Sequence, residues 1–423
     1  MAHLGLICPE LSGHLNPMTM LGRELKRRGH RVTLIGRPDA QAKTESAGLE
    51  FAVVGEEAFP VGSLARTTAE LGRLSGLSAI RFTGELLRRA AVTILDEASV
   101  AISRVGVDAL LVDQVTPAGE TVAEMLNLPF LSVCNALALN PDPTLPPAVT
   151  PWRYRRGAIW RVRNAFGDTI LRWAARPILN EINARRVRHG LPSLGGQVSE
   201  SSGLAQIAQQ PAFFDYPRER RAENFHYTGP WHAIESGNKL EFPWDRLDGR
   251  PLIYASMGTL QNRQGPIFEA IASACAGLDA QVVLSLGSRD PGLELNLEGR
   301  PIVVPFAPQL ELLRRAALTI THAGLNTALE SLAQGVPMVA IPITNDQPGV
   351  ASRLEWLGVA RVVPPSGLTV RRLHAAAKSV LTERHYRARA QQWKAEIARV
   401  DGVKVAADIV EEAIETRQKV LRS

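Results

Sequence analysis

Cysteine is scarce: Cys8, Cys134 and Cys275 are the three in 423 residues. Their number is odd and their spacing is that of no metal site, so neither a disulfide framework nor a reactive pair is expected, and a reducing compartment is. Long apolar runs are missing as well. None approaches the roughly 18 uninterrupted residues of a membrane-spanning helix. The N-terminus enters an apolar strand, HLGLIC, without a cationic leader or a signal-length hydrophobic core, so a cytoplasmic location is expected. No G-x-G-x-x-G follows the first strand of either half, which disfavours a dehydrogenase, and no Walker loop is present, which disfavours an ATPase. There is no Asp-x-Asp pair and no His/Cys/Asp cluster of ligand spacing, so neither metal nor cofactor is expected.

What the chain does contain is an α/β alternation long enough for two domains of roughly 200 residues each. Short β-rich runs HLGLIC, RVTLIG, FAVV, ALLVD, FLSVC and LAQIA are separated in several places by helical segments such as MTMLGRELKRRG and GETVAEMLN. PLIYAS, QVVLSLG, PIVVP, LTITH and MVAIP repeat the theme, with PIFEAIASACAGL as one of their helices. Both halves are expected to be doubly wound parallel sheets. Residues 229–250 lack periodicity, which places a first domain at 1–230, a linker at 231–250 and a second domain at 251–402, with a C-terminal helix over 403–423.

The most informative stretch runs from Phe306 to Gln347. It reads as a strand ending at His322, a Gly-bearing turn, a helix opening near Asn326, and a second strand whose end delivers Asp346 and Gln347 to the same crevice. Ligands of open parallel sheets sit outside the carboxyl ends of the strands, and a helix N-terminus there attracts phosphate. Gly324 would let backbone amides approach a diphosphate, with His322, Asn326 and Thr327 adding donors. Glu330, one turn deeper than Asn326, would accept from ribose hydroxyls. Asp346 and Gln347 suit sugar hydroxyls, and Phe306 offers a flat face for a base. Singly, each has a plainer reading, such as a turn glycine, a helix N-cap or a solvated helix residue. Together they outline a nucleotide-sugar site.

The chemistry is expected from the other half. Pro17 suits a first helical position, which puts His14 in the loop before it, where the helix N-terminus would hold the imidazole neutral. Asp113 ends the run ALLVD on the same sheet edge. A carboxylate there would fix the tautomer of His14 and stabilise the imidazolium formed as His14 takes a proton.

FAPQ (Phe306, Ala307, Gln309), HAGLNTALE, GVP and Pro342 with Asp346 and Gln347 resemble the C-terminal signature of family 1 glycosyltransferases, the UDP-glycosyltransferase superfamily of the GT-B fold. GHLNP is similar to that family's catalytic-histidine loop, Asp113 to its dyad aspartate, and SMGT to its Ser-x-Gly-Thr loop, which adds Ser256, Gly258 and Thr259 to the diphosphate lining. The resemblance spans nearly the whole chain. It implies two Rossmann-like domains facing across a cleft, with the final helix crossing back onto the first. It further implies an inverting attack, aided by His14, of an acceptor hydroxyl on a UDP-sugar, with the leaving diphosphate held by amides and His322. Glucose is implied by the Asp346–Gln347 pair. Phe306 stands where many members carry Trp, so UDP is favoured over TDP without being required.

No residue identifies the acceptor. HAGLNT with DQPGVASR is most similar to the bacterial branch that includes zeaxanthin and macrolide glycosyltransferases, which implies a hydrophobic hydroxylated acceptor such as a carotenoid; macrolides, sterols and flavonoids are alternatives, as is a GT-B epimerase or hydrolase. Residues 152–188 hold Trp152, Trp160 and Trp173 with ten Arg against Asp168 and Glu181. That mixture suits the anionic inner face of a membrane, or a solvated helical pair with its Trp packed on the core. No nucleic-acid-binding module accompanies the charge.

Overall fold

The computed structural model describes residues 1–71, 74, 76–195, 203–231, 240–259, 265–287 and 295–422. Positions 232–239 of the expected linker lie outside the described residues.

The first half builds one parallel sheet from β1 (His3–Ile7), β2 (Arg31–Gly36), β3 (Glu50–Val53), β4 (Ala109–Asp113), β5 (Phe130–Cys134), β6 (Gln206–Ala208) and β7 (Phe225–Tyr227), in the order β3-β2-β1-β4-β5-β6-β7. Its helices are α1 (Ser12–Arg27), α2 (Gln41–Ser46), α3 (Ser63–Leu71), α4 (Gly76–Val105), α5 (Pro117–Met125) and α6 (Ala158–Arg188). The second half orders β8 (Leu252–Ser256), β9 (Gln281–Ser285), β10 (Ile302–Val304), β11 (Ala316–Thr321), β12 (Met338–Ala340) and β13 (Ala360–Val362) as β10-β9-β8-β11-β12-β13, again all parallel. Its helices are α7 (Gly265–Ala276), α8 (Gln309–Arg315), α9 (Leu325–Ala333), α10 (Gln347–Trp356), α11 (Val370–Thr382), α12 (Arg384–Ile397) and α13 (Gly402–Thr416).

Every residue of β1, β4, β5 and β8 is buried, because helices cover both faces of a parallel sheet; such strands read as unbroken apolar runs rather than alternating ones. The edge strands β7 and β13 carry FHY and ARV, too short for any period to show in sequence. In each sheet the strand order reverses direction once, between β1 and β4 in the first and between β8 and β11 in the second. At such a point the flanking helices diverge to opposite faces and leave a crevice at the carboxyl edge. Ile7 pairs with Val112, and Ser256 with Thr321, so the segments leaving these strand ends flank the two crevices.

The chain passes between the halves twice, and the two passages touch. A Cβ on Gly402 would lie 2.6 Å from the Gly229 carbonyl oxygen and 2.8 Å from that of Pro230, so only glycine lets them cross. Beyond Gly402, α13 packs on the first half. Val403, Ala406, Ala407, Val410 and Ala413 join the core of Leu4, Leu21 and Leu25, and Arg28 reaches Asp408 and Glu411 at 2.6 Å each.

A buried charge cluster ties the halves further. Asp215, after β6, accepts from Arg218 Nε at 2.6 Å, from the Tyr227 hydroxyl at 2.8 Å, and from Arg353 Nη2 of α10 at 2.8 Å. The Arg353 guanidinium lies 4.4 Å above the Tyr216 ring. Burial by itself would raise the Asp215 carboxyl, but Arg218 and Arg353 hold it far below the ordinary range. Asp215→Ala strands two buried guanidinium groups and is expected to lower unfolding free energy by about 3–5 kcal/mol, read by urea denaturation. The depressed carboxyl contributes fully above its unfolded value of ~3.9 and progressively less as pH falls below it, so the loss caused by Asp215→Ala should shrink in acid.

Candidate active site

The His14 imidazole and the Asp113 carboxylate meet at the crevice of the first sheet, with Nδ1 2.7 Å from Oδ2. The carboxylate accepts, so Nδ1 carries the proton and Nε2 is left as the basic atom of the ring. Asp113 is fully buried yet satisfied as an anion: Oδ2 also accepts from Asn135 Nδ2 at 2.7 Å, and Oδ1 from the Val115 amide at 3.0 Å. Asn135 belongs to no motif of the sequence. Its signal is positional: it follows β5 directly, on the strand beside the one that Asp113 ends.

Two expectations about His14 are corrected. Helix α1 begins at Ser12, so His14 sits in its first turn, and Pro17 lies inside the helix rather than opening it. An interior proline is tolerated here because the carbonyl it cannot reach, that of Gly13 four residues back, accepts instead from Asn326 Nδ2 across the cleft at 3.1 Å. Nor does the helix N-terminus dominate the ring's protonation. Burial lowers it, but the Asp113 charge, the Asp113 hydrogen bond and the Asp346 charge together outweigh burial, and the imidazole titrates above its ordinary 6.5.

The opposite wall is built at the second crevice. Strand β11 ends at Thr321, one residue before His322, and Gly324 caps α9, leaving the amides of its first turn directed at the cleft. The His322 ring fills the space between Gly258 and Gly324, whose added Cβ atoms would stand 2.7 and 2.5 Å from its Nε2. Gly258 also has a positive φ of 77°. Both glycines are therefore required by the ring. Burial holds His322 down to about 4, against a bond with the Ser256 backbone, so at neutral pH it is an uncharged hydrogen-bonding group. Ser256 Oγ lies 3.4 Å from the Gly258 amide, and Thr259 follows in the same loop.

Asn326 and Thr327 belong to the first turn of α9, but Asn326 does not present a free amide. Its Oδ1 accepts from Gln209 Nε2 at 2.9 Å while its Nδ2 holds Gly13, so it braces one wall against the other. Glu330 stands one turn deeper, bonded to Gln309 Nε2, whose own Oε1 accepts from Tyr254 at 2.9 Å. Burial raises Glu330 to about 7, opposed by the Gln309 bond. Ala307 lies between Gln309 and Phe306, and Phe306, two residues past the end of β10, is 38% exposed.

Asp346 and Gln347 do not end a strand. Strand β12 stops at Ala340, and the pair opens α10 after a loop in which Asn345 takes a left-handed φ of 56°. Gln347 Oε1 accepts from the amides of Ile343 and Thr344, which shapes that loop and leaves its Nε2 as the donor. Asp346 Oδ2 accepts from the Leu137 amide of the first half at 3.2 Å, and burial raises its carboxyl. Asp215, Arg218, Arg353 and Gln209, which hold the walls together, carried no sequence signal because their partners are more than 100 residues distant or in irregular segments.

Two doubly wound parallel sheets with their crevices face to face are the GT-B arrangement, and comparison agrees. The crystal structure of the kitacinnamycin glycotransferase superposes with a TM-score of 0.76 at 23% identity, covering 97% of this chain and 98% of that one. A zeaxanthin glucosyltransferase of Pantoea ananas is 33% identical over 100% of this chain and 98% of its own length, and another from Pseudescherichia vulneris is 33% identical over 86% of each. The UDP-glucoronosyl and UDP-glucosyl transferase family model matches residues 198–395. The chain belongs to this family of glycosyltransferases.

An NMR titration of the His14 imidazole should give a pKa above 6.5, and Asp113→Asn should lower it, since the substitution removes the charge that outweighs burial. Coincident titrations in the two proteins would show that the field at His14 comes from elsewhere.

Proposed function

We propose that the protein transfers glucose from a UDP-sugar, with inversion, to a hydroxyl of a lipophilic small molecule such as a carotenoid. The observation that carries the reading is the placement of a basic imidazole nitrogen, backed by Asp113 at 2.7 Å, across a closed cleft from the N-terminus of α9. The acceptor class is supported by the full-length similarity to zeaxanthin glucosyltransferases.

In this reading Phe306 stacks on the base and Glu330, with Gln309, takes the ribose hydroxyls. The amides at the head of α9, neutral His322, Thr327 and the Ser256–Thr259 loop surround the diphosphate, and no metal takes part. Asp346 and the free amide of Gln347 take hydroxyls of the hexose. His14 Nε2 removes the acceptor proton as the oxygen attacks the anomeric carbon on the face opposite the diphosphate; the glycosidic bond to phosphate breaks, and UDP leaves with its electron pair. Asp113 stabilises the imidazolium formed in that step. The helix dipole and amides stabilise the charge left on UDP. The bonds from Asn326 to Gly13 and from Asp346 to Leu137 close the cleft against water, which would otherwise compete for the donor. A reducing, cytoplasmic setting is part of the reading, supported by three buried unpaired thiols.

The test is incubation with UDP-glucose and a panel of hydroxylated carotenoids, sterols, macrolides and flavonoids, with product masses read out. One added hexose on any of them is expected. UDP-glucose consumed with no acceptor product would indicate a hydrolase instead. His14→Ala should lower transfer by roughly 10²–10⁴-fold while UDP affinity, measured calorimetrically, stays unchanged. Because the neutral ring is the active form, wild-type kcat/KM should rise with pH through the His14 pKa, above 6.5, and Asp113→Asn should move that rise to lower pH.

A further inference from the structure

Helix α6 carries an apolar row with no partner among the described residues. Ile159, Val162, Phe166 and Trp173 are 63–73% exposed, and Ile170 is 48% exposed. At about 100° per residue these five positions fall on one face. Asn164, on the opposite face, and Gly167, on the flank, are buried, and Gly167 lies against Trp152 and Pro147. Of the expected core tryptophans, Trp152 does pack inward, whereas Trp173 stands in solvent. The row therefore does not arise from a helix that failed to pack. It is the outward face of one that packs well.

The borders of the row are basic. Arg176 follows one side, with Arg172 and then Arg161 farther round the helix; Arg163, stacked 4.8 Å from both Trp152 and Trp160, follows the other. Arg161 is paired with Glu219, but Arg172 and Arg176 form no ion pair among the described residues. Just before the helix, exposed Arg155 and Arg156 form none either. The segment leading into the helix runs past the second half: Ala148, ten residues ahead of it, touches the first turn of α10, where a Cβ on Gly349 would stand 1.8 Å from the Ala148 carbonyl oxygen.

We infer that this face of α6 docks the protein on an anionic lipid bilayer. A helix lying in the interfacial plane buries an apolar row below the headgroups and places flanking arginines among the phosphates. A second copy is a poorer occupant, since a two-fold contact would set the same arginines against each other. Nucleic acid would leave the apolar row in water. No helix among the described residues is long and apolar enough to cross a membrane, so docking is peripheral. The inference does not depend on the identity of the acceptor.

Co-sedimentation of the full-length protein with vesicles tests it. Binding is expected to phosphatidylcholine vesicles containing phosphatidylglycerol, weakly or not at all to pure phosphatidylcholine, and less at high salt. Phe166→Asp with Trp173→Asp should lower the partition coefficient at least tenfold with an unchanged melting curve. Arg172→Gln with Arg176→Gln should lower it about fivefold per arginine on anionic vesicles, and this milder pair decides the matter should the first not fold. Equal binding by wild type and both variants, or none to anionic vesicles, overturns the inference. So does a concentration-dependent dimer, seen by light scattering, that the Asp variant disperses.

Discussion

Asp215 places one negative charge between two guanidinium groups that come from different halves of the chain, and the whole cleft rests on that arrangement. A GT-B protein has its two sets of functional groups on separate sheets, and neither set means anything chemically until the distance between them is set. Arg353 is drawn into the first half by Asp215 and stacked on Tyr216, which anchors α10. Asp346 opens that same helix, and its contact with the Leu137 amide follows from where the anchor holds α10. Charges of this kind are costly to bury singly and tolerable only as a complete set, so the cluster admits few intermediate positions.

The two walls use opposite electrostatic strategies. On the first, Asp113, joined by Asp346 from across the cleft, keeps His14 avid for a proton, and the buried Asp113 side chain accepts from three donors. On the second, His322 is stripped of charge by burial and Glu330 is drawn toward its neutral form. A neutral imidazole beside helix amides suits a group that arrives already carrying negative charge, because an anion meets dipoles without expelling a resident counter-ion. A wall with a carboxylate-backed imidazole suits a group that must lose a proton. Pro17 joins the two: by lacking an N–H it frees the Gly13 carbonyl for Asn326, so a residue that weakens a helix internally strengthens the contact across the cleft.

Much of this was legible beforehand. The apolar runs became strands, since a parallel sheet buried on both faces demands unbroken β-rich segments. The Gly-bearing turn before Asn326 became a helix N-terminus, since Gly324 caps α9 and His322 needs the room beside it. What misled was local: Pro17 looked like a helix start because the usual cost of an interior proline was assumed, and Asp346 looked like a strand end because the loop at Asn345 has no periodic signal. The ionisation of His14 was misjudged for a similar reason. The helix N-terminus and Asp113 are both visible in sequence, whereas the charge of Asp346, which helps Asp113 outweigh burial of the ring, comes from the other half of the chain.

The sequence by itself determined the α/β class, the division into two sheets, the placement of Asp113 at a strand end of one with His14 after its first strand, and that of His322 and Gly324 at a strand end of the other. Such features depend on neighbours within about a turn of helix or a strand's length, over which residue type and spacing carry the information. The tertiary structure alone decided that both sets lie at points where strand order reverses, that Asn135 and Gln209 join them, and that α6 turns an apolar row outward between arginines. Those outcomes depend on which distant segments share a buried contact, and the free energy of burying a charge or an apolar face is set by the partner that meets it, which no local pattern names.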